Sequence, residues 1–240
     1  MKPSLSIIQF TLFISITACQ SSDRYVEQGR TYLKEGKFRE AVQVLNQAVE
    51  SDDDNVEAFN SRGVAYFELK EYANAVLDYD QAIKLKPDFY QPYYNRGLLK
   101  VAKNDLAGAL KDYSDAIRLA PDTSRRMTAE IYLNRGQLFA AQDQIQPALS
   151  DFSQAISLDS KNALALYNRG NLRFKQEQLA GATTDFQQAV ASDPTFGKAF
   201  YGLGLAQILQ KEREGGCLSL KQAAKLGYAD AANAVAEYCE

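Results

Sequence analysis

A glycine returns at Gly29, Gly63, Gly97, Gly136, Gly170 and Gly204, at spacings of 34, 34, 39, 34 and 34 residues. No other feature of the chain limits its fold as strongly. Twelve residues beyond the first five glycines stand Ala41, Ala75, Ala109, Ala148 and Ala182, with Gly216 in the sixth place. Seven residues further on come Ala48, Ala82, Ala116, Ala155, Ala189 and Ala223. A glycine inside a helix costs roughly 0.5–1 kcal/mol relative to alanine, so a column of them at one phase needs a packing reason. Small residues here remove bulk where two antiparallel helices of one repeat cross, and where one repeat meets the next. Each helix pair has too little apolar surface to fold alone, so neighbours must stack.

Further columns share the period. Repeat position 4 holds Tyr25, Phe59, Tyr93, Tyr132, Leu166 and Phe200, and position 24 holds Leu45, Tyr79, Tyr113, Phe152, Phe186 and Leu220. Closing prolines stand at Pro87, Pro121 and Pro194. With these columns the chain resembles the tetratricopeptide-repeat (TPR) family from about Ser22 to Asp230. The resemblance implies an all-α fold, a TPR solenoid of six helix-pair repeats plus a C-terminal capping helix. The expected organisation is a signal peptide over 1–18, then one continuous array over 19–240. Its repeats fall near 22–55, 56–89, 90–128, 129–162, 163–196 and 197–230, with a capping helix near 229–239. The A and B helices are expected near 23–35 and 38–51, 56–69 and 72–85, 90–103 and 106–119. The second half follows with 126–142 and 145–158, 163–176 and 179–192, and 197–210 and 216–226.

The 39-residue spacing marks five extra residues between the third and fourth repeats, around Asp122 to Ala129. Ser124 is expected to cap a helix that starts about one turn early, through Arg125, Arg126 and Met127. Two arginines at a helix N-terminus oppose its macrodipole. They mark either a tolerated surface insertion or a task of their own.

One pair of columns varies together. Repeats two to five carry Arg62, Arg96, Arg135 and Arg169 at position 7, and Asp78, Asp112, Asp151 and Asp185 at position 23. The first and last repeats lack both, with Gln28 and Val44, and Leu203 and Ser219. This predicts a structural ladder of Arg–Asp pairs tying helix A to helix B.

Composition removes whole classes of function. The chain has 240 residues, no histidine and a net charge of −3. Every dyad or metal site that needs imidazole is excluded, and no basic field for nucleic acid is present. Gly202-Leu203-Gly204 lacks the third glycine of a nucleotide loop and falls inside an expected helix. The Asp52-Asp53-Asp54 run lacks the glycine and distal glutamate of a calcium loop, and reads as a solvated turn. The expectation is a protein with no enzymatic activity, no cofactor, no metal, no small-molecule substrate and no nucleic-acid partner.

The N-terminus points to the cell envelope. After Lys2 an apolar run extends from Leu5 to Ala18. As a helix it would span about 21 Å at ~1.5 Å per residue, short of a hydrocarbon core of roughly 30 Å. It reads as a signal peptide. Ile16-Thr17-Ala18-Cys19 resembles the bacterial lipobox, which implies that Cys19 is acylated and begins the mature chain. An ordinary signal sequence with a chance cysteine, or an uncleaved anchor, are the alternatives. Gln20 stands where many inner-membrane lipoproteins carry Asp, which directs the expectation to the outer membrane, facing the periplasm. The tether from Gln20 to about Asp23 is short, so the array is expected close to the bilayer.

The TPR resemblance also implies a partner-binding concave groove lined by A-helix positions 2, 5, 6, 9, 12 and 13. Those positions supply Asn60, Phe67, Tyr94, Asn95, Asn134, Gln137, Tyr167, Asn168 and Asn171. Tyrosine, amide and apolar side chains suit a neutral extended segment of a partner protein better than a strongly charged one. Recurrence of Asn95, Asn134 and Asn168 at position 6 also follows from repeat duplication alone. The lysine-bearing clamp that binds chaperone tails is absent, because no repeat has lysine at position 5. The functional expectation is an interaction scaffold or adaptor. The alternative is an assembly factor for an envelope machine, such as a pilus or secretion system, or an adaptor of a periplasmic enzyme.

Once Cys19 is assigned to lipid, Cys217 and Cys239 remain as an even pair in an oxidising compartment. They lie eleven residues either side of Tyr228, where an antiparallel hairpin would bring them together. A disulfide stapling cap to array is one reading, and two ordinary buried thiols are the other.

Overall fold

The computed structural model describes residues 21–240. They form helices and no strand, divided into two compact units between Ala120 and Pro121. The first unit holds α1 (21–34), α2 (Phe38–Ser51), α3 (Val56–Glu68), α4 (Tyr72–Leu85), α5 (Tyr90–Ala102) and α6 (Leu106–Leu119). The second opens on a 3-10 turn, Asp122–Ser124, followed by α7 (Arg125–Ala141), α8 (Ile145–Leu158), α9 (Ala163–Lys175) and α10 (Leu179–Ser192). It ends with α11 (Gly197–Leu209), α12 (Arg213–Lys225) and α13 (Ala231–Cys239). Odd-numbered helices up to α11 are the A helices of the repeats, and even-numbered ones the B helices.

The small-residue columns have the packing cause their phase implied. A Cβ added to Gly63 would lie 2.6 Å from the Tyr79 ring, and one added to Gly97 would lie 2.6 Å from the Tyr113 ring. Helix A thus drops its side chain so that the large residue at position 24 of helix B can lie against its backbone. Tyr79, Tyr113, Phe152 and Phe186 are each only 1% exposed as a result. Ala82, Ala116, Ala155 and Ala189 are fully buried one turn further along; at Ala82, Ala155 and Ala189 a larger side chain would push the next repeat away.

Capping follows the polar residues of the turns. Asn55 and Asn162 accept hydrogen bonds from the Ala58 and Ala165 amides at the starts of α3 and α9, both at 2.9 Å. Ser22 is buried and donates to the Ala48 carbonyl at 2.9 Å, while Asn55 donates to the Ser22 hydroxyl at 2.9 Å. The start of α1, the end of α2 and the cap of α3 are therefore one bonded rim.

Three local expectations change. Ser124 precedes α7, which does start a turn early, but its side chain makes no capping hydrogen bond. Thr128 instead donates to the Ser124 carbonyl at 3.0 Å. The last B helix begins at Arg213 and not near Gly216. Gly216 does not break it, because the missing side chain lets the two helices approach where a Cβ would lie 2.9 Å from the Gly204 carbonyl. The closing helix begins at Ala231, two residues later than expected.

The turns inside the repeats hold a feature with no column of its own. Gly36, Lys70, Asn104, Asp143, Glu177 and Lys211 all have φ between 56° and 71°, in the left-handed region. Each lets the following amide bond back to the helix just ended, as Glu71 does to the Tyr66 carbonyl at 2.8 Å. This is the geometry in which helices commonly stop.

Candidate functional site

The Arg–Asp ladder frames the A helices. Arg62, Arg96, Arg135 and Arg169 each grip the aspartate sixteen residues on through Nε and Nη2, at 2.7–3.0 Å. Asp78, Asp112, Asp151 and Asp185 are at most 5% exposed. Such bidentate pairs fix geometry as well as charge. The guanidinium groups of Arg62, Arg96 and Arg135 also lie 5.4–5.7 Å from the position-4 rings of Phe59, Tyr93 and Tyr132.

Two further kinds of contact extend the ladder beyond what the paired columns imply. The free Nη1 of Arg62 bonds Asn46, that of Arg96 bonds Asp80, and that of Arg169 bonds Ser153, each at position 25 of the preceding repeat. The ladder therefore ties repeats to each other, not only helix A to helix B. Lys100 joins Asp112 at 2.8 Å and Arg173 joins Asp185 at 2.8 Å, so these two carboxylates meet two cations each. Among the described residues Asp78 pairs with Arg62 alone, and burial pushes its carboxyl above the ordinary carboxylate value while Arg62 draws it back.

The candidate groove residues lie on the A helices, and their environments differ. Asn95 donates to the Asn60 carbonyl oxygen at 2.9 Å across neighbouring repeats. Tyr94 is only 6% exposed and packs on Tyr113, ring centroids 6.0 Å apart, so it is a wall of the unit more than an open contact. Phe67 packs on Tyr72 at 5.8 Å. In the second unit Tyr167 is half-buried between Phe196 and Phe186, at 5.0 and 6.0 Å. Asn134, Gln137, Asn168 and Asn171 are half-buried.

Within this set Asn168 stands apart. Its Nδ2 is buried and has no hydrogen-bond acceptor, and among the described residues only the Gln91 Oε1, which lacks a donor, is also buried without a partner. The register explains it. Asn95 finds Asn60 at position 5 of the preceding repeat, whereas the same place before Asn168 holds Leu133, which has no acceptor to offer.

The remaining candidates are readily placed. Cys217 and Cys239 face each other with Cα atoms 5.6 Å apart and sulfurs 2.05 Å apart. Cys19 and the 1–18 signal peptide lie outside the described residues. Arg125 donates to the Ser157 carbonyl at 3.2 Å, in the last turn of α8. A cation there complements the negative end of that helix, which gives one of the two arginines a structural reason. In the acidic turn, Asp52 accepts from the Asp54 amide at 3.1 Å. Among the described residues no three carboxylate or thiol groups gather as a metal site, and no helix is long and apolar enough to cross a membrane.

Models of the tetratricopeptide repeat match residues 26–88, 90–123 and 167–215, and a further TPR-repeat model matches 136–176. No curated protein matches the chain by sequence. Among solved structures, the chain is similar to PilF of Pseudomonas aeruginosa, with a TM-score of 0.81 at 16% identity, covering 92% of this chain and 99% of that one. It is similar to PilW, a type IV pilus biogenesis factor, with a TM-score of 0.71 at 20% identity over 90% and 98%. It is also similar to YrrB, a TPR protein with an unusual peptide-binding site, with a TM-score of 0.67 at 20% identity over 80% and 97%. At these identities the likeness is one of fold.

Proposed function

The chain belongs to the tetratricopeptide-repeat family, and on that premise we propose that it is a non-enzymatic scaffold or adaptor that holds an extended segment of a partner protein on its A-helix face. The observation that carries this reading is the unpaired Asn168 amide. A buried donor without an acceptor costs about 1–3 kcal/mol, and a turn of the half-buried side chain that brings Nδ2 to a main-chain carbonyl of a bound segment would recover that cost. Gln137, Tyr167 and Asn171 belong to the same set of A-helix positions, with amide and aromatic groups suited to a neutral chain. YrrB, similar in fold, has a peptide-binding site.

Acylation of Cys19 would hold this scaffold to the bacterial envelope, at the outer membrane and facing the periplasm. A second reading, an assembly factor for an envelope machine, draws support from the near full-length likeness in fold to PilF and PilW. Both readings use the same face, and the identity of the captured segment separates them. Photo-crosslinking from Gln137 and Asn171 in intact cells would identify it, and its synthetic peptide could then be titrated. Asn168→Ala should weaken that peptide about tenfold, near 1.4 kcal/mol, with helicity unchanged. Equal affinity in the folded variant would place binding elsewhere.

A further inference from the structure

Ser22 is fully buried, its hydroxyl is bonded to the Ala48 carbonyl, and α1 already runs from residue 21. Asn55 bonds the same hydroxyl and lies 3.4 Å from the Asp23 carboxylate. The fold is thus pinned three residues after Cys19. Three residues reach at most about 11 Å when fully extended. The polar layer of one leaflet is roughly 5–8 Å deep. Little length remains for a spacer.

We propose that the rim formed by the start of α1, the end of α2 and the Asp52–Asn55 turn lies against the lipid headgroups, and that the opposite end of the first repeat points away from the bilayer. The inference rests on acylation of Cys19. It adds that the anchor orients the first unit, where a long linker would let it tumble. The hairpin fixes the far end: α1 and α2 are antiparallel, and the turn at Glu35–Lys37 closes them opposite the rim. A 14-residue helix separates the two ends by about 21 Å at ~1.5 Å per residue.

The rim is not itself a lipid-seeking surface. Asp23, Asp52, Asp53 and Asp54 are set against Arg24, a balance that gives no attraction for anionic headgroups. Proximity comes from the tether, so the unlipidated chain should ignore vesicles.

The chain has no tryptophan, so one introduced indole reports without background. Acylated full-length Asp53→Trp and Glu35→Trp proteins, both replaced at exposed positions, are reconstituted on phosphatidylethanolamine/phosphatidylglycerol vesicles containing dansyl-headgroup lipid. Energy transfer from the Asp53→Trp reporter should exceed that from Glu35→Trp several-fold. A ten-residue Gly-Ser insertion after Gln20 should erase the difference. Equal transfer at both positions, stronger transfer from Glu35→Trp, or a difference that survives the insertion would overturn the inference. Failure of the underlying anchor looks different: the purified chain would lack the mass of a lipid, Cys19→Ser would change nothing, and neither reporter would transfer.

Discussion

Arg96 holds two repeats at once: Nε and Nη2 grip Asp112 of its own repeat at 2.9 and 2.7 Å, while Nη1 bonds Asp80 of the repeat before at 2.5 Å. A lysine presents one point charge and cannot reproduce that fork. Arg96→Lys should therefore cost about 1–3 kcal/mol, the range for leaving a buried polar partner unpaired. Arg96→Ala should cost more, about 3–5 kcal/mol. Lys100 remains on Asp112 in both variants and keeps the loss toward the lower end. Urea unfolding followed by circular dichroism measures the order, and equal stability of the lysine variant and wild type would show that the second repeat contact contributes nothing.

Asp78 should make the fold respond to pH with a particular sign. Burial holds its folded-state carboxyl above the ordinary value, although Arg62 opposes that shift. A carboxyl raised on folding contributes stability in its protonated form. That contribution is complete below the unfolded value of about 3.9 and is lost as pH rises through the folded value. Arg62 stays charged throughout this range, so Asp78 alone supplies the titration. Comparing wild type with Asp78→Asn from pH 3 to pH 7, the difference in unfolding free energy should shift in favour of wild type on acidification. A pH-independent difference would contradict the assignment.

Lys70 and Lys211 occupy the left-handed region, with φ of 62° and 68°. A side chain there strains the backbone, and glycine does not. Both lysines are exposed, so little packing is at stake. Lys70→Gly and Lys211→Gly should each stabilise the protein by about 0.5–1 kcal/mol, after allowance for the entropy glycine adds to the unfolded chain. Asn104→Gly should gain less, because asparagine tolerates this region better. Thermal melts of the three variants would rank them.

Those turn positions also show where the sequence is silent. Lysine, asparagine, aspartate and glutamate share one conformation there and little beyond polarity, because the helix-ending geometry is imposed by the backbone and its neighbours. Columns set by contact are legible. Gly63 is small because Tyr79 fills its place, and Arg62 recurs with Asp78 because the aspartate would be left buried and without its cation otherwise. The candidate site falls between these cases. Asn95 and Asn168 are the same letter at the same position, yet one is satisfied by Asn60 and the other has no acceptor. The difference lies one repeat away, in Leu133, where a column read by itself does not look.

The end of the second unit should depend on the Cys217–Cys239 cross-link in a way that can be measured. The helix α13 has nine residues and no side-chain cap, too short to hold its shape unaided. It buries two alanines, Ala231 and Ala234, and receives one hydrogen bond near its end, from Arg213 Nε to the Tyr238 carbonyl at 2.9 Å. Cys239 closes its last turn onto Cys217, 22 residues earlier in sequence. In the chain-entropy model a bond across a loop of this size removes about 3 kcal/mol of unfolded-state freedom. Because α13 is the last helix, most of that should appear as local order and not as a change in the whole fold. The Cys217→Ser/Cys239→Ser variant should keep its hydrogen-exchange protection in α7 to α10. It should lose protection several-fold or more in α13, and less in α12. Mass measured without reductant on protein from an oxidising compartment should be two daltons below that of the reduced chain, as expected for loss of two hydrogens on closing one bond. A mass showing two free thiols would refute the cross-link, and unchanged protection in the double variant would show that the bond is present but does not hold the helix.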